Sequence, residues 1–257
     1  MKLYKGFLDI ETSYALGAYW GGKIWEQDIL FTVPKRHSII MAYTIHWENG
    51  WTTTHSLPEY KQFKKDVWDD SGIAEDLAKD FEKAQILIAH NGDNFDIPKV
   101  KTRLLFHGYK PYYDFHTIDT KKVAKTFSFP SNKLDDLCEY LDIGRKLRHE
   151  GLDMWKKCLT DKPSKERDKA WKMMTRYNRH DVVLLELLYN KFRPYIKNHP
   201  NESAIIGMPH GCKNCHGNSF NKRGRRILAS GNYKLMYSCN ECGAVNYSGI
   251  HKGEWGL

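Results

Sequence analysis

The sequence of 257 residues has no long hydrophobic run. Its longest apolar segment, SIIMAYTI (38–45), is less than half of the roughly 18 residues that a membrane-spanning helix needs. Asp9 and Glu11 follow the N-terminus too closely to leave room for the apolar region of a signal peptide. We therefore expect an intracellular, cytoplasmic protein that has no membrane partner.

The sequence also lacks internal repeats and low-complexity tracts. Its hydrophobic content of 41%, with 13% aromatic residues, is enough to form a packed core, which excludes a globally disordered chain. A chain of this length forms either one large domain or a core domain with a small appendage.

Acidic residues are fewer than basic ones, 31 against 40, and the formal net charge is +9. The excess is concentrated near the C-terminus. From Met208 onward there are seven Lys and Arg against two acidic residues, while the rest of the chain has 33 against 29. A basic segment favours polyanionic partners such as nucleic acid, although charge alone is a weak indication.

The pattern of apolar residues predicts an α/β domain followed by a cysteine-bearing segment. Buried strands are predicted over 3–10, 38–47, 51–56 and 86–91, with a hairpin turn at Asn49-Gly50. Helical periodicity is found over 73–84, 97–107, 120–127, 133–142, 152–159 and 164–191. This order predicts a mixed β-sheet flanked by helices. Residues 198–211 are rich in Pro, Gly and polar residues and predict a linker, so we expect domains over 1–197 and 212–257.

Two carboxylates stand close together near the N-terminus. Asp9 and Glu11 in LDIET alternate along a predicted strand and therefore share one face of it. Like charges at this separation repel unless they share a cation, and Mg²⁺ and Mn²⁺ prefer oxygen ligands of this kind. On this pair alone, two solvated acids at the end of a strand explain the pattern equally well.

Asp96 and the pair Tyr177 and Asp181 complete the set of candidates. Asp96 follows the predicted strand 86–91 at the start of a helix, where an isolated Asp is most often an N-cap. Tyr177 and Asp181 are four residues apart and share one face of the longest predicted helix. Packing and solvation explain that pair when it is taken alone, so the three stretches are informative only together.

Together the three stretches resemble the DEDD superfamily of 3′–5′ exonucleases, which share a ribonuclease-H-like fold. The nearest likeness is to the proofreading domains of family B DNA polymerases and their stand-alone relatives. LDIET resembles the first family motif, IAHNGDNFDIPKVKTR the second, and YNRHDVVLLELLY the third in its tyrosine form. The histidine form requires His at the position of Arg176, and His180 is out of place for that role.

Two further stretches fit the same family, IDTKKVAK (118–125), with Asp119 as a helix cap, and KLDDLCEYLDI (133–143). The likeness thus extends over residues 1–197, although the segment between Gly144 and Arg179 has no clear family pattern.

The resemblance implies cleavage with two Mg²⁺ or Mn²⁺ ions on either side of the scissile phosphate. Its implied ligands are Asp9, which bridges the ions, Glu11, Asp96 and Asp181, while Tyr177 orients the attacking water. We therefore expect a 3′–5′ exonuclease that releases nucleoside 5′-monophosphates from single-stranded DNA ends. Since the sequence shows no polymerase domain, we expect any proofreading to serve a polymerase or another replication protein in trans.

Nucleic-acid contacts are expected beside the motifs. Asn91 and Phe95 flank the second motif and are expected to contact the terminal nucleotides, although Phe95 is equally suited to the core. Lys133 can reach a phosphate or lie at a solvated helix cap. Basic and aromatic walls suit a single strand, and the loop 12–37, with Trp20 and Trp25, is a candidate for such a wall.

Four of the six cysteines form two CxxC pairs, Cys212 with Cys215 and Cys239 with Cys242, which are separated by 23 residues. Four thiolates predict one closed, structural Zn²⁺ site, and the segment YKLMYSC (233–239) suits a small β-rich zinc ribbon. Gly217 and Gly243 are predicted to allow the tight turns. Disulfides and a redox CxxC are the alternatives, and an intracellular location disfavours both. The isolated cysteines, Cys138 and Cys158, are predicted to be core or surface thiols.

The segment NKRGRR (221–226) predicts a basic hairpin tip between the two cysteine pairs. Such a tip grips phosphates without reading bases, through Lys222, Arg223, Arg225 and Arg226. A solvated loop is the alternative.

Two other functions remain open. The acidic ligands do not distinguish DNA from RNA, so a 3′–5′ exoribonuclease of the same superfamily is the closest alternative. A non-catalytic adaptor that binds nucleic acid through the ribbon belongs to a different class, and the intact acidic set argues against it.

Overall fold

The computed structural model describes residues 2–15, 38–110, 114–196 and 198–253. The chain divides into two compact units, one formed by Tyr4–Arg193 and the other by Pro194–Leu257 together with Met1–Leu3. None of the helices in the described ranges has the length and hydrophobicity that crossing a membrane requires.

The first unit contains five strands, β1 (Lys5–Thr12), β2 (Ile40–Trp47), β3 (Thr52–Ser56), β4 (Ile86–Ala89) and β5 (His116–Asp119). They form one sheet in the order β3-β2-β1-β4-β5. β2 pairs antiparallel with both β1 and β3, whereas β4 pairs parallel with both β1 and β5. Gly50 has a φ of 90° in the predicted hairpin turn between β2 and β3, a conformation that glycine adopts without strain.

The α-helices among the described residues of this unit are α1 (Ser71–Lys83), α2 (Asp96–Phe106), α3 (Thr120–Ala124), α4 (Leu134–Tyr140), α5 (Leu152–Cys158) and α6 (Lys165–Phe192). α6 lies on one face of the sheet, where the ring of Tyr189 packs edge-on against Phe7 with their centroids 5.4 Å apart. α1 lies on the other face, where the Tyr43 hydroxyl donates a hydrogen bond of 3.0 Å to Asp80. The predicted mixed sheet with flanking helices is therefore confirmed.

The alternation along β1 fixes which of its side chains are available for chemistry. Leu8 and Ile10 are buried in the core with Ile73 and Leu77 of α1. Each such side chain contributes about 1.5–3 kcal/mol by its burial. Because successive residues of a strand point to opposite faces, Phe7, Asp9 and Glu11 are turned toward the face that α6 covers.

The edge strand β5 was not predicted from the sequence. It has four residues, of which His116 and Thr117 are exposed and only Ile118 and Asp119 are buried. So short a strand, with polar residues at most positions, lacks the apolar alternation that identifies the others. Asp119, predicted as a cap, does accept hydrogen bonds at the start of α3 from the amides of Lys121 and Lys122.

The second unit is a small β-rich module, as predicted. Its elements are α7 (Glu202–Ile205), β6 (Phe220–Ile227), β7 (Tyr233–Cys239) and β8 (Val245–Tyr247). The strands form an antiparallel sheet in the order β6-β7-β8. The segment predicted to be a linker contains α7, whose residues Glu202 and Ser203 are buried, and the Ser203 hydroxyl donates to the carbonyl of Cys212 at 2.6 Å.

The predicted hairpin tip at NKRGRR is wrong. Residues 221–226 lie within the edge strand β6, and the turn is formed further on, where the amide of Leu228 donates to the carbonyl of Asn232. Gly224, in the middle of this segment, lies at a register shift between Lys222 and Gly224 in the pairing with β7. A glycine inside a strand often marks such a bulge.

Candidate active site and metal centres

Three carboxylates from two elements converge at the end of β1. Asp9 and Glu11 come from the strand and Asp181 comes from α6. One oxygen from each lies within 4.8 Å of the others. Residues separated by about 170 positions in sequence are thus brought to one place by the packing of α6 on the sheet.

Asp96 joins this group through the backbone of β1. The pairing between β1 and β4 ends at Phe7, which leaves the amide of Ile10 without a strand partner on that side. Asp96 Oδ1 accepts a hydrogen bond of 3.1 Å from this amide, between Asp9 and Glu11. Phe95 occupies the N-cap position of α2 and Asp96 is the first helical residue, so the capping alternative for Asp96 is wrong.

Burial and mutual repulsion make these carboxyl groups hard to ionise. Burial, with repulsion from Glu11, Asp181 and Asp96, raises the pKa of Asp9 well above its ordinary value. Burial and repulsion from Asp181 raise the pKa of Glu11 to about 8. Burial raises the pKa of Asp96 to about 7, and it also raises the pKa of Asp181. A cluster that holds protons at neutral pH in this way is suited to exchange them for a cation.

Lys146 supplies an ammonium group close to the cluster, and no motif in the sequence pointed to it. Its Nζ donates to Asp181 Oδ2 at 2.5 Å and to the Tyr177 hydroxyl at 3.0 Å. Burial disfavours the charged amine, but attraction by Asp181 outweighs burial and raises the pKa of Lys146 above its usual value. Lys146 therefore stays charged and partly neutralises the carboxylates.

Tyr177 lies one helical turn before Asp181 and is also buried. Burial and the charge of Asp181 raise the pKa of its phenol to about 12, so the hydroxyl stays protonated at neutral pH. The His149 ring packs edge-on against the Tyr177 ring with the centroids 4.7 Å apart. The Tyr177 hydroxyl is thus held in one orientation by Lys146 and by ring packing.

Asn178 is a second residue that sequence reasoning missed. It is fully buried on α6, and its Nδ2 donates to the Asp9 carbonyl at 3.1 Å and to Asp9 Oδ2 at 2.7 Å. This amide fixes both the backbone and the side chain of Asp9 relative to α6. An Asn flanked by Tyr177 and Arg179 gives no local signal of that role, because its partner is 169 positions away.

The donor set fits hard divalent cations. Oxygens of Asp9, Glu11 and Asp181 are grouped closely enough to bind the same cation, and Mg²⁺ and Mn²⁺ prefer such oxygens. Asp181 Oδ1 is buried and has no hydrogen-bond partner among the described residues. Buried polar atoms are normally satisfied, so an orphaned carboxylate oxygen marks a place for a cation or ordered water.

The predicted nucleotide contacts lie in different settings. Phe95 is 43% exposed beside Asp96, so the alternative that places it in the core is wrong. Asn91 has a φ of 70°, and its amide donates to Asp119 Oδ1 at 2.9 Å. Lys133 is exposed at the N-cap position of α4, without a side-chain capping bond. Trp20 and Trp25 lie outside the described residues, as does most of the loop 12–37.

The four paired cysteines form a second cluster, with all four sulfurs within 4.8 Å of one another. Cys212 and Cys242 have their Sγ atoms 3.7 Å apart, and those of Cys215 and Cys239 are 3.5 Å apart. A disulfide requires about 2.05 Å, whereas four sulfurs at about 2.3 Å from a tetrahedral zinc lie close to these separations. All four thiols are free, so the disulfide alternative is wrong and the cluster fits a zinc site.

The backbone of the module prepares Cys212 to bind as a thiolate. Burial of the sulfur opposes ionisation, but N–H groups of Asn214 and Cys215 and the Asn246 amide outweigh it and lower the pKa of Cys212 to about 7. Gly243 has a φ of 74° beside the second pair, as the predicted turn requires. At the first pair the left-handed residue is His216, with a φ of 64°, rather than Gly217.

The basic residues of β6 are exposed along the edge of the module's sheet. The four cations are Lys222, Arg223, Arg225 and Arg226. Arg223 Nε donates to Ser238 Oγ at 3.1 Å, while the guanidinium groups of Arg225 and Arg226 lie over the rings of Tyr233 and Tyr247. These contacts hold three guanidinium groups along one strand.

Comparison with known proteins agrees with this architecture. The chain is similar to a solved structure, the family B DNA polymerase from the hyperthermophilic archaeon Pyrobaculum calidifontis, with a TM-score of 0.53 and 16% sequence identity. The match covers 76% of this chain and 25% of the polymerase chain, so it spans a quarter of that protein and bears on the fold alone. No curated protein sequence matches the chain.

The sequence also matches a family, RNase_H_2 of the RNase_H superfamily, over residues 36–193. This range is more than half of the chain and includes four of the five sheet strands, Asp96, Tyr177 and Asp181. The ribonuclease-H-like fold expected from the sequence is thereby confirmed, and the chain belongs to the RNase H superfamily.

Proposed function

We propose that the protein is a metal-dependent 3′–5′ exonuclease that releases nucleoside 5′-monophosphates from single-stranded DNA ends. One observation carries the proposal: oxygens of Asp9, Glu11 and Asp181 lie within 4.8 Å of one another, and Asp96 is tied to the same strand. Structural carboxylates are seldom buried in such a group, because each one raises the pKa of the next. Membership of the RNase H superfamily supports nucleic acid as the substrate.

In this proposal Asp9, Glu11, Asp96 and Asp181 hold two Mg²⁺ or Mn²⁺ ions. When bound, such ions supply a hydroxide from a coordinated water near neutral pH and stabilise the charge that builds on the phosphate. The protein itself contributes rigidity. Asn178 fixes Asp9, and the Ile10 amide fixes Asp96, so the ligands are held before the substrate arrives.

Tyr177 of α6 is proposed to contact the reacting groups, and Lys146 supports it. A phenol with a pKa of about 12 is a poor base at neutral pH but a good hydrogen-bond donor, so Tyr177 orients the attacking water. Lys146 holds the Tyr177 hydroxyl and Asp181 together. We assign it as a positioning residue that acts through these two side chains.

The second unit is proposed to be a zinc ribbon over 212–257 that grips phosphates through β6. Exposed cations on an edge strand, with aromatic rings beneath two of them, suit contact with a nucleic-acid backbone. Asn91, Phe95 and Lys133 are kept as proposed contacts of the exonuclease domain, for which we propose the bounds 1–197. A polymerase or other replication protein acting in trans is the proposed biological partner.

Two alternatives have specific support. The carboxylate cluster does not involve the sugar, so a 3′–5′ exoribonuclease is equally compatible with its geometry. A non-catalytic adaptor would rest on the basic strand β6 alone, and it leaves the repulsion among the buried carboxylates unexplained.

Asp9→Asn is expected to abolish cleavage, with a rate loss on the order of 10³-fold or more, because a ligand of the proposed metal site is lost. The measurement is a time course on end-labelled single-stranded DNA with Mn²⁺, beside an RNA of the same sequence. Glu75→Gln, an exposed carboxylate of α1 that pairs with Lys79, is the matched control and should cleave normally.

Labelled strands that become shorter from their 3′ end support the proposed 3′–5′ direction of digestion. Faster loss of the RNA favours the exoribonuclease. Wild-type protein that shifts labelled strands on a gel without shortening them would establish the adaptor instead.

Metal binding is expected to strengthen as the pH rises from 6 to 8.5. The folded, metal-free protein holds protons on Glu11 and Asp96, whose pKa values are about 8 and about 7, and a metal ion must displace them. The unfolded chain releases these protons at lower pH, so the free energy of unfolding of the metal-free protein falls as the pH rises through this range. Mn²⁺ should therefore raise the melting temperature more at pH 8 than at pH 6.

Glu11→Gln is the comparison variant, and it should lose most of this pH dependence. A Mn²⁺-induced shift of equal size at both pH values would contradict the assignment of these carboxyl groups as ligands.

Tyr177→Phe and Lys146→Gln are each expected to slow cleavage, on the order of 10–100-fold, less than Asp9→Asn does. If Lys146 acts mainly by holding the Tyr177 hydroxyl, the double variant should be little slower than the slower single variant. Single-turnover rates on one oligonucleotide measure the coupling. Fully additive effects would show that the two residues act independently.

Removing zinc is expected to unfold the second unit. Among the described residues from 198 to 253, the buried apolar residues are Cys212 and Cys239, so no apolar core is available to hold these strands together. Structural zinc contributes about 10–16 kcal/mol in comparable small modules. Elemental analysis should find one zinc per chain in the wild type and none in Cys212→Ser, whose ribbon should be cut rapidly by protease. Cys158→Ser, a buried thiol outside the cluster, should retain zinc.

A further inference from the structure

The first half of α6 carries five cations on one face. Lys165, Lys169, Lys172, Arg176 and Arg179 follow one another at intervals of four, three, four and three residues. At about 100° per residue these positions fall within an arc of about 80° around the helix. All five side chains are exposed, and we refer to them as the basic stripe.

The five cations of the basic stripe are not tied to other side chains among the described residues. Within the described part of the chain, no ion pair or side-chain hydrogen bond involves any of its five cations. Arg167, on a different face of α6, is by contrast bound to the carbonyls of Thr160 and Asp161 and lies over the Phe63 ring. The stripe is therefore not part of the framework that holds the helix in place.

A merely solvated helix face usually alternates its charges. In the basic stripe, Lys165 precedes Lys169 by four residues and Lys172 precedes Arg176 by four, and like charges at that spacing destabilise a helix. The acidic residues of this segment, Glu166 and Asp168, are exposed near its N-terminal end, where they offset part of the charge. The C-terminal part of the stripe has no acidic residue between Lys172 and Arg179.

The basic stripe lies beside the carboxylate cluster rather than in it. Tyr177 and Asp181 are on the same helix, but they point about 120° and about 160° away from the centre of the stripe. A cleft of about 550 Å³ lies along the intervening face of α6. Its lining includes the basic side chains of Arg148, Lys157 and Lys169, the last of which also belongs to the stripe, together with the carboxylates of Glu150 and Glu166. His149 also lines the cleft, and its ring packs against the Tyr177 ring.

The size of the stripe suits an extended polyanion. From Lys165 to Arg179 the helix rises about 21 Å, the length of about six nucleotides along one strand of a duplex. The exposed residues of this segment are all charged, whereas a helix that binds membranes also exposes apolar residues to enter the lipid. The ligand class that matches is therefore a sugar-phosphate backbone.

We propose that the basic stripe binds the phosphate backbone of the substrate strand on the 5′ side of the scissile bond, and that the cleft leads this strand to the carboxylate cluster. The proposal rests on the proposed nuclease function and names where the rest of the substrate lies. A single strand and a duplex with a 3′ overhang both present the same phosphate groups to the stripe. The experiment tests which of these two substrates the stripe binds.

The test uses the full zinc-loaded chain and the triple variant Lys169→Gln, Lys172→Gln, Arg176→Gln. Binding of a fluorescent 20-nucleotide strand and of an overhang duplex is followed by anisotropy with Ca²⁺ in place of Mn²⁺, so that cleavage does not interfere. Loss of three phosphate contacts should weaken binding by about tenfold or more at low salt. It should also lower the slope of log K against log salt by roughly 2.

The matched control is Lys61→Gln, Lys79→Gln, Lys110→Gln, which removes the same charge from exposed lysines on other elements. This variant should bind like the wild type. A third variant, Lys169→Arg, Lys172→Arg, Arg176→Lys, keeps the charge and should restore binding, as a backbone contact requires.

Cleavage provides the second readout. For the stripe variant, kcat/KM on the 20-mer should fall about tenfold, mainly through KM. Hydrolysis of the p-nitrophenyl ester of thymidine 5′-monophosphate should be unchanged, since that substrate has no upstream phosphates. A defect on the overhang duplex alone would assign the stripe to the paired region, and a defect on both substrates would assign it to the strand.

Equal binding by the stripe variant and the control variant would overturn the proposal. So would loss of binding to phosphatidylserine vesicles with nucleic-acid binding intact, which would make the stripe a membrane contact. If the wild type cleaves neither the 20-mer nor the ester, the proposed nuclease function fails, while the anisotropy comparison still decides whether the stripe binds nucleic acid.

Discussion

Carboxylates that lie side by side in a partly buried site repel one another, and the structure around β1 is arranged to withstand that repulsion. Asp9, Glu11 and Asp181 offer oxygens within 4.8 Å of one another, and burial raises the pKa of each. The protein counters this with one ammonium group from Lys146 and with amide hydrogen bonds from Asn178 and Ile10. None of these groups removes the negative charge fully, and Asp181 Oδ1 is left without a partner among the described residues.

The negative charge that remains in the cluster must be withstood by the packing of the surrounding fold. A cluster whose carboxylates repel one another is kept together by the packing of α6 against the sheet and by the core side chains Leu8 and Ile10 beneath β1. The hydrophobic burial on one face of β1 thus holds the acidic residues in place on the other. The alternation of a strand, with apolar residues on one side and carboxylates on the other, is the simplest way to couple the two.

The parts of this arrangement that depend on local pattern could be predicted from the sequence. Short apolar runs identified β1, β2 and β4, and helical periodicity identified α6, which together are sufficient to predict the mixed sheet and its flanking helices. Glu11 and Asp181 were found as candidates because each lies at a characteristic spacing from another candidate, Glu11 two residues after Asp9 on a predicted strand and Asp181 four residues after Tyr177 on a predicted helix. The resemblance to exonuclease motifs then predicted that they converge.

What could not be predicted depends on contacts between distant segments. Lys146 lies in a stretch with no recognisable pattern, and Asn178 looks like any polar residue of a long helix. Their roles appear only when α6 is placed against β1. The misplaced tip in β6 has a different cause, because a glycine flanked by arginines is typical of both a turn and a strand bulge, and only the register with β7 distinguishes them.

Negative and positive charge are concentrated on different parts of the molecule. Negative charge is concentrated at the end of β1, where divalent cations are proposed to bind, while exposed positive charge follows the basic stripe of α6 and the edge strand β6. Both basic surfaces consist mainly of exposed Lys and Arg side chains, which suits them to contact with phosphates. In the proposed function, the choice of the bond to be cleaved therefore depends on the carboxylate cluster, where the ligand geometry would constrain which phosphate can react. Nucleic acid would be held through charge at many places and cleaved at one.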